Sequence, residues 1–356
     1  MQYRKLPHGG EQIGVLGLGS SAIGQAGDKE IEATMAMALE NGVNYFDMAS
    51  GDAAPFAPYG RAVAAAGMRD KVYFQIHFGA EYTTGKYGWT LDLDAIKRSV
   101  DWQLTRLKTD YIDFGFIHCI DEESDYAKAR AAGTIDYILE LKRQGVVRHI
   151  GMSSHTPAVV NRVLDEGLLD MLMFSINPAY DYQQGEYAVG AVDERMALYR
   201  RCEAEGVGIS VMKAFAGGQL LDAKRSPFGL ALDRPGVLTV LPGVRDRADL
   251  QALLGYFDAP AEQTDYSALG GVAPKAAEGV CVYCNHCAPC PMGLDVGLIN
   301  KYYDLANMGD ALAGEHYRTL EKHASDCVAC GHCDSRCPFH VHQVQRMQQI
   351  AAYFGQ

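Results

Sequence analysis

The residues whose types and spacing best suit chemistry in this sequence are eight of its ten cysteines. They form two short runs, in each of which three cysteines recur at every third position and a fourth is followed by proline. The runs are Cys281, Cys284, Cys287 and Cys290, and then Cys327, Cys330, Cys333 and Cys337. This spacing lets three thiolates of a run bind three irons of one cube, while the fourth binds the cube of the other run. It predicts two 4Fe-4S clusters.

The spacing also predicts how the clusters share their ligands. One cluster is expected on Cys281, Cys284, Cys287 and Cys337, and the other on Cys327, Cys330, Cys333 and Cys290. In the first run two residues precede the last cysteine, against three in the second. Cys290 therefore departs from the ferredoxin spacing that its crossed assignment follows. Zinc also takes four cysteines, but usually as separated pairs, whereas each run here is unbroken.

Composition and the amino-terminal segment exclude several classes of function. The net charge of -12 offers no surface that would neutralise phosphates, so no nucleic-acid partner is expected. No apolar run approaches the roughly 20 residues that span a bilayer, so no membrane partner is expected. Residues 1–11 contain no apolar core of signal-peptide length, which disfavours disulfides and predicts a cytoplasmic, anaerobic setting. A small-molecule substrate fits these limits.

Short β-rich segments alternate with amphipathic helical segments eight times between residue 13 and about residue 257. The expected strands are 15–18, 43–47, 72–77, 111–118, 146–152, 171–176, 208–213 and 237–241. Helical patterning, with apolar residues three and four apart, covers 30–40, 91–107 and 134–144 among others. Such alternation predicts an α/β fold with a parallel sheet, and eight rounds favour a closed (β/α)8 TIM barrel. We place this barrel at residues 1–262.

The remaining residues divide into a linker and a cluster domain. Residues 263–279 are rich in alanine, glycine and proline and predict a short linker. Residues 280–356 hold both cysteine runs, and helical patterning covers 294–310, 311–325 and 341–354. They predict a small α-helical dicluster ferredoxin-like domain.

A glycine motif near the start of the chain imitates a dinucleotide-binding fingerprint. Gly17 and Gly19 follow an apolar run, and Ala22 completes the motif. A Rossmann turn opens directly into a helix, whereas Gly24 and Gly27 keep this chain in a loop until about residue 29. We therefore interpret the motif as the first loop of the barrel.

Polar and ionisable residues end the predicted strands, where a barrel carries its chemistry. In chain order they are Asp47, His77, His118, Ser153, Ser154, His155, Asn177 and Lys213. Histidine titrates near neutral pH, so His77 suits acid-base work, although a strand histidine can also bond a neighbouring backbone group. Cys119 is either a reactive group beside this pocket or small apolar filler, and Cys202 is filler within a helix. The sequence thus predicts a polar, ionisable pocket.

Segments 44–49, 109–118, 147–153 and 241–243 resemble the aldo-keto reductase family. With the cysteine runs, they resemble the branch of that family that carries a carboxyl-terminal two-cluster domain, over nearly the whole chain. The resemblance implies nicotinamide-dependent carbonyl reduction by an Asp, Tyr, Lys and His tetrad in which tyrosine supplies the proton. Asp47 and His118 match the tetrad. The tyrosine position is taken by Asp52 and the lysine position by His77.

The resemblance leaves the proton donor and the cofactor site incomplete. His77 is one candidate donor, and Tyr59 is the other if the loop expected to carry it folds inward. The residues that match the family's cofactor contacts are Ser153, Ser154, Asn177, Lys213, Gly243 and Arg245, with Arg247 as a further phosphate contact. The family's adenine contacts fall on Ala252 and Leu253, which lack side-chain hydrogen-bonding groups. NADP(H) is therefore expected as a weakly held cofactor or not at all.

Two functions follow from these residues. The first is an iron-sulfur oxidoreductase that acts on a small carbonyl, alcohol or enone, with electrons relayed through two clusters and exchanged with a ferredoxin or other redox partner. The second is a metal-dependent lyase or hydrolase-like enzyme in which Asp47, His77, His118 and His155 bind a divalent ion and the clusters are structural. Two clusters exceed what structural support requires, which favours the first function.

Overall fold

The computed structural model describes residues 1–177, 192–214, 225–260, 264, 279, 281, 287, 289–307, 311–337 and 340–356. The early strands are β1 (Tyr3–Lys5), β2 (Gln12–Gly14), β3 (Leu18–Gly19), β4 (Tyr45–Asp47), β5 (Tyr73–Phe78), β6 (Ala80–Glu81) and β7 (Gly88–Trp89). The later strands are β8 (Ile112–Ile117), β9 (Val147–Ser153), β10 (Met171–Ser175), β11 (Gly208–Met212) and β12 (Val237–Val240).

The helices of the described residues alternate with these strands and then continue alone. Those of the barrel are α1 (Asp28–Glu40), α2 (Phe56–Ala66), α3 (Leu93–Leu107), α4 (Glu123–Ala131), α5 (Thr134–Arg143), α6 (Pro157–Leu164), α7 (Val192–Glu205), α8 (Arg225–Leu232) and α9 (Arg247–Leu254). Those that follow are α10 (Val296–Asn307), α11 (Ala311–Arg318), α12 (His332–Arg336) and α13 (Gln343–Phe354). None of the helices in the described part of the chain combines the length and apolar character needed to cross a bilayer.

Eight strands form the central sheet in the order β3, β4, β5, β8, β9, β10, β11, β12. Every neighbouring pair in it is parallel. The sheet closes on itself, because Leu16 pairs with Val240 and Gly19 pairs with Gly243 in parallel bridges. The predicted (β/α)8 barrel is confirmed, and each of the eight predicted strand segments overlaps one of these strands.

The fingerprint-like glycines serve this closure. A Cβ on Gly17 would lie 2.7 Å from Leu241 Cδ2 and 2.9 Å from the carbonyl oxygen of Tyr45, distances shorter than real Cβ contacts. Only glycine therefore fits where the first and last segments of the barrel meet. Helix α1 begins at Asp28, after a loop, which confirms the interpretation of the motif as the first barrel loop.

Side chains alternate along each strand between the barrel interior and the helix layer. The interior cluster comprises Tyr45, Phe114, Phe116, Met171, Met173, Leu238 and Leu241, together with Leu6 and Ile13 from the antiparallel β1–β2 hairpin. Phe46 points the other way, into the larger core that lies between strands and helices. Asp47 therefore shares the interior face with Tyr45, at the carboxyl end of β4.

A second antiparallel hairpin, β6–β7, follows β5 directly. Tyr82 between its strands is buried, and its hydroxyl accepts the backbone N–H of Ser50 over 2.9 Å. The indole N–H of Trp89 donates to the carbonyl oxygen of His118 over 3.3 Å. These contacts fix the hairpin against the carboxyl ends of β4 and β8.

Helices α10 to α13 form a separate apolar core that includes Ile299, Tyr317, Met347 and Ile350, and the predicted helical cluster domain is confirmed. This domain packs against the barrel beyond β8. Tyr302 donates its hydroxyl to Glu122 over 2.9 Å, and His316 forms a hydrogen bond with Asp125. The predicted linker, 263–279, lies outside the described residues except for 264 and 279, so the domain boundaries stay a prediction.

Candidate functional site

Asp47 and His77 end the neighbouring strands β4 and β5 and meet inside the barrel. His77 Nε2 lies 2.7 Å from Asp47 Oδ1, and both side chains are buried. Gln75 shares the interior face with His77 and donates to the same carboxylate oxygen over 3.0 Å. Its own oxygen accepts the hydroxyl of Tyr45 over 2.6 Å. Two donors therefore hold the Asp47 carboxylate in place.

His118 follows β8 and extends the pair toward the hairpin. His118 Nδ1 lies 2.9 Å from His77 Nδ1, and His118 Nε2 lies 2.8 Å from the hydroxyl of Tyr87. Burial, with the neighbouring His77 and His155, holds the pKa of His118 well below its usual value of 6.5, so the ring is neutral at neutral pH. One hydrogen-bonded chain thus runs from Asp47 through His77 and His118 to Tyr87.

The partners assign the ring protons of both histidines. Because a carboxylate only accepts, His77 Nε2 donates to Asp47 and His77 Nδ1 is an acceptor. His118 Nδ1 therefore donates to His77, and His118 Nε2 accepts the hydroxyl proton of Tyr87. In the neutral chain every donor points from Tyr87 toward Asp47.

The structure corrects the expected surroundings of Tyr59. This residue lies in α2 rather than in a loop, and it is fully buried. Its ring packs edge-on against Phe46, with the centroids 5.9 Å apart, in the core between strands and helices. Its hydroxyl has no hydrogen-bond partner among the described residues. Because Phe46 and Asp47 point to opposite faces of β4, Tyr59 lies outside the barrel interior that holds Asp47.

Asp52, at the family's tyrosine position, has a local structural role. Its Oδ1 accepts the backbone N–H of Ala54 over 2.9 Å, and its backbone pairs with Lys86 in an isolated bridge. The tyrosine that bonds His118 is Tyr87, which follows the third barrel strand rather than the second. Sequence reasoning did not single out Tyr87. The available signal was the concentration of tyrosines in the loop after that third strand.

A second ionic group lies after β8, β9 and β11. His155 Nδ1 lies 2.9 Å from Asp121 Oδ2, and Lys213 Nζ lies 3.1 Å from His155 Nε2. Burial and Lys213 lower the pKa of His155 to about 4, so His155 accepts from Lys213. Burial alone would raise the pKa of Asp121, but His155 and Lys301 hold this pKa well below its usual value of 3.8. At neutral pH the Asp121 carboxylate is therefore negative, and it lies near the positive side chains of Lys213 and Lys301 and the neutral ring of His155.

Lys301 connects the second group to the cluster domain. It lies on α10, and its Nζ is 3.9 Å from Asp121 Oδ2.

Two residues of the strand ends, Cys119 (φ 49°) and Lys213 (φ 56°), have left-handed backbone conformations. Such conformations cost a non-glycine residue about 1–3 kcal/mol and concentrate at functional sites. Sequence reasoning identified neither Asp121 nor Lys301, because one lies beyond a strand end and the other in a different domain.

Buried, neutral His155 should make stability depend on pH. Its folded pKa of about 4 is below the usual 6.5, so the unfolded chain binds more protons and stability falls as pH falls below 6.5. Between about pH 7 and about pH 5.5, His155 alone should remove about 1 kcal/mol from the free energy of unfolding. His155→Asn, which keeps a side-chain N–H for Asp121, should lack that part of the slope. Anaerobic urea unfolding measures it, and equal slopes in both proteins would refute the expectation.

The four residues predicted to bind a divalent ion do not form one group. Asp47, His77 and His118 are adjacent, but His155 belongs to the second group. Among the described residues, the set of three possible ligands with all donor atoms within 4.8 Å of one another is Cys119, Asp121 and His155. The ammonium groups of Lys213 and Lys301 lie beside that set, and their charge opposes a bound cation.

The residues predicted to bind nicotinamide bond to other parts of this chain. Ser153 Oγ accepts the backbone N–H of Cys119 over 2.8 Å. The Ser154 hydroxyl donates to Asp121 over 3.1 Å, and the Asn177 side chain donates to the carbonyl oxygen of Lys213 over 3.1 Å. Each of these side chains has the capacity for more than one hydrogen bond, so these contacts do not by themselves exclude a bound carboxamide.

The predicted phosphate contacts are likewise engaged. Arg245 binds Asp249 through two nitrogens, at 2.7 and 3.1 Å. Arg247 binds Glu30 through two nitrogens, each at 3.0 Å. A Cβ on Gly243 would lie 2.9 Å from Ala22 Cβ, so this glycine packs closely against the first barrel loop. The two arginines are thus held in exposed ion pairs, and NADP(H) binding at these positions stays a prediction.

The cysteines of the second domain divide between two surroundings. Cys290, Cys327, Cys330 and Cys333 line one cavity, whose other walls include Leu294, Val296, Val344 and Met347. The sulfur of Cys281 instead lies 3.6 Å from Nε2 of Gln343. Cys284 lies outside the described residues, and no cysteine among the described ones forms a disulfide. The crossed assignment of Cys290 stays a prediction, and the cavity places this cysteine beside three of the second run.

Two family models match the chain. The aldo/keto reductase family matches residues 14–230, and the 4Fe-4S dicluster domain matches residues 279–341. The first match covers more than half of the chain, and the second contains both cysteine runs.

Curated relatives match the barrel part. The uncharacterized oxidoreductase YqkF of Bacillus subtilis is 30% identical over 186 residues, which are 50% of this chain and 56% of that protein. Protein tas of Escherichia coli is 27% identical over 222 residues, which are 54% of this chain and 64% of that protein. The chain thus spans somewhat more than half the length of these relatives.

Solved structures share the barrel fold. The aldo-keto reductase AKR11C1 of Bacillus halodurans in its holo form has a TM-score of 0.59 at 21% identity, covering 75% of this chain and 95% of that one. PA4992 of Pseudomonas aeruginosa has a TM-score of 0.59 at 26% identity, covering 71% of this chain and 94% of that one. The chain belongs to the aldo/keto reductase family of oxidoreductases, and it carries a 4Fe-4S dicluster domain after its barrel.

Proposed function

We propose that this oxidoreductase reduces a small carbonyl or enone at the carboxyl ends of its barrel strands, or catalyses the reverse oxidation. The observation that carries the proposal is the hydrogen-bonded chain of Asp47, His77, His118 and Tyr87. Reducing a carbonyl to an alcohol consumes two electrons and two protons. The chain of side chains supports delivery of one proton at a time, each replaced from solvent water before the next transfer, and the dicluster domain supports the supply of the two electrons.

Proton delivery would proceed by reversing hydrogen bonds. With one extra proton, His77 is a cation that keeps Nε2–H on Asp47 and donates from Nδ1 to His118. His118 then donates from Nε2 to the oxygen of Tyr87, which allows the Tyr87 O–H to point at a substrate oxygen. When Tyr87 gives up its proton, one proton moves from His118 to Tyr87 and another from His77 to His118. The neutral arrangement is restored, and one proton has left the chain.

The low pKa of His118 supports this route. Burial and the neighbouring histidines disfavour a charge on His118, so the extra proton is better placed on His77, against the Asp47 carboxylate. His118 then acts as a neutral relay between His77 and Tyr87. Asp47 neutralises the charge before transfer, and Gln75 keeps the carboxylate oriented through its own donor.

We assign two 4Fe-4S clusters to the dicluster domain, in line with the family model that matches it. The proposed ligands are Cys281, Cys284, Cys287 and Cys337 for one cluster and Cys290, Cys327, Cys330 and Cys333 for the other. Four thiol groups around one cavity with apolar walls are the donor set that a cube requires. Bound clusters would supply electrons singly, one per cube, so the pair can hold the two electrons of a carbonyl reduction. Lys301 and Tyr302 hold the domain against the second ionic group of the barrel.

Electrons would enter from a ferredoxin or another small redox partner. We propose electron supply through the clusters in preference to hydride transfer from NADP(H), because the serine, asparagine and arginine side chains at the matching positions bond within the chain. The metal-dependent alternative is less favoured, because its four ligands do not converge and two lysines flank the nearest possible set.

An anaerobic redox experiment tests the proposal. Dithionite should bleach the visible absorption of the purified protein, and a carbonyl or enone compound added after removal of excess reductant should restore it. One product molecule should form for every two electrons that leave the reduced clusters. NADPH alone should leave the absorption of the oxidised protein unchanged. If the clusters stayed reduced with every compound that the enzyme converts, the relay would be wrong. Stoichiometric zinc or manganese in the same sample would instead support the lyase alternative.

A further inference from the structure

One glutamine contacts a proposed cluster ligand from within the protein core. Gln343 begins α13 and is 1% exposed, and its Nε2 lies 3.6 Å from the sulfur of Cys281. Glutamine is seldom fully buried, and its amide carries both a donor and an acceptor. The orientation of this amide decides whether the sulfur meets an N–H group or an oxygen.

A chain of partners that begins at a guanidinium fixes that orientation. Arg346 has only donors, and its partners are the carboxylate of Asp304 and Oδ1 of Asn300. Asn300 must therefore turn its NH2 group the other way, where it donates to Gln343 Oε1 over 2.9 Å. Because Asn300 occupies the oxygen of Gln343, the NH2 group of Gln343 faces Cys281. The bond to sulfur is an N–H···S bond.

This network is buried inside the cluster domain, where it joins α10 to α13. Asn300 is followed on α10 by Lys301 and Tyr302, which bond Asp121 and Glu122 of the barrel. The cavity lined by Cys290 and the second cysteine run has a different environment. Its lining residues Val328 and Met292 are 59% and 39% exposed. We call the proposed cluster on Cys281 the inner cluster and the one in this cavity the outer cluster.

The charges near the two sets of cysteines also differ. Gln343 offers a donor to Cys281, while the guanidinium of Arg346 in the same network is paired with the carboxylate of Asp304. In the outer cavity, the carboxylate of Asp334 lies 3.9 Å from the sulfur of Cys333. Reduction adds one negative charge to a cluster, and hydrogen bonds to its sulfurs are among the factors that set its potential. The N–H···S bond of Gln343 favours that charge at the inner cluster, and the Asp334 carboxylate opposes it at the outer one.

We propose that Gln343, through its N–H···S bond to Cys281, raises the reduction potential of the inner cluster above that of the outer cluster, and so directs electrons from the outer cluster to the inner one. Each transfer oxidises the outer cluster by one electron and reduces the inner cluster by one. An external one-electron donor, such as dithionite or a ferredoxin, restores the outer cluster. Gln343 is a positioning residue in this route, since it acts on the cluster ligand and touches no substrate. The inference rests on the proposed two-cluster assignment.

An anaerobic redox titration monitored by electron paramagnetic resonance tests the inference without substrate. The wild-type protein should show two midpoint potentials. Gln343→Leu should lower only the higher one, making the reduced form of the inner cluster about tenfold less favoured, which is about 59 mV for one electron. Gln348→Leu, an exposed site on the same helix, is the matched control and should change neither potential.

Several outcomes would overturn the inference. The first is a single midpoint potential shared by both clusters in the wild-type protein. The second is an equal shift of both midpoint potentials in Gln343→Leu. The third is an unchanged pair of midpoint potentials in a Gln343→Leu protein that retains its full iron content. If Gln343→Leu lost iron, resonance Raman spectra of the wild-type protein in light and heavy water would decide whether the N–H···S bond exists. A deuterium shift of the Fe–S(Cys) stretches confined to one cluster would support the N–H···S bond, and its absence would refute it. Because no turnover is measured, failure here is distinct from failure of the proposed reduction.

Discussion

Replacing Tyr87 with phenylalanine should lower the rate at which a carbonyl or enone substrate reoxidises the reduced protein by about 100-fold or more, the usual scale for a lost general acid. The change removes the hydroxyl that bonds His118 and leaves the ring, which packs against the rings of Tyr82 and His118. Stopped-flow absorption of the clusters measures the rate. The iron content should not change, because Tyr87 lies in the β6–β7 hairpin of the barrel.

Tyr59→Phe is the matched control for this variant. It also removes one tyrosine hydroxyl from a ring packed near Asp47, but that hydroxyl has no partner among the described residues and lies outside the barrel interior. Its rate should stay close to that of the wild-type protein. His118→Ala should be as slow as Tyr87→Phe, because it breaks the same chain one residue further in. A slow Tyr59→Phe beside a normal Tyr87→Phe would mean that the proton donor is misassigned.

The barrel could be predicted because its signal is local and repeated. Each strand is a short apolar run, as in β8 and β10, and each is followed by an amphipathic helix, as in α3 and α5. Errors at single boundaries therefore did not change the count of eight. The polar strand ends Asp47, His77 and His118 could be placed together for the same reason, since parallel strands in a barrel present their carboxyl ends on one side.

The donor tyrosine could not be predicted from local signals. Proline and glycine beside Tyr59 are typical of a loop, yet Pro58 lies in the first turn of α2, where proline is tolerated. Gly60 serves helix packing instead, since a Cβ there would lie 2.3 Å from the carbonyl oxygen of Arg106. Tyr87 reaches His118 only because a hairpin folds back over the strand ends. That contact depends on tertiary structure, which sequence spacing does not encode.

The hydrogen-bonded chain that begins at Asp47 and the second ionic group around Asp121 suggest why the family tetrad is altered here. A lysine at the position of His77 would place a permanent charge beside Asp47, whereas histidine can pick up and release a proton. Lys213 and Lys301 supply permanent positive charge at a different place, around Asp121 and next to the dicluster domain. Proton exchange is thus separated from fixed charge, which suits a reaction in which electrons and protons arrive by different routes.

The crossed ligand set predicts a specific loss of iron. The wild-type protein should contain about eight irons and eight acid-labile sulfides per chain, and Cys290→Ala should contain about four of each. Cys290 lines the cavity of Cys327, Cys330 and Cys333, so this variant should lose the outer cluster although Cys290 belongs to the first cysteine run. Colorimetric iron and sulfide analysis of anaerobically purified protein measures the change. Cys119→Ala, outside both runs, is the control and should keep about eight irons.

The identity of the lost cluster separates the crossed assignment from an uncrossed one. If Cys290 binds the outer cluster, the cluster that remains in Cys290→Ala still has Cys281 as a ligand and Gln343 beside it. Adding Gln343→Leu to that variant should then lower its single remaining midpoint potential. If Cys290 instead completed the set of its own run, the remaining cluster would lie on Cys327, Cys330 and Cys333. Its potential would then not respond to Gln343→Leu, because no hydrogen bond joins the Gln343 side chain to Cys290, Cys327, Cys330 or Cys333 among the described residues.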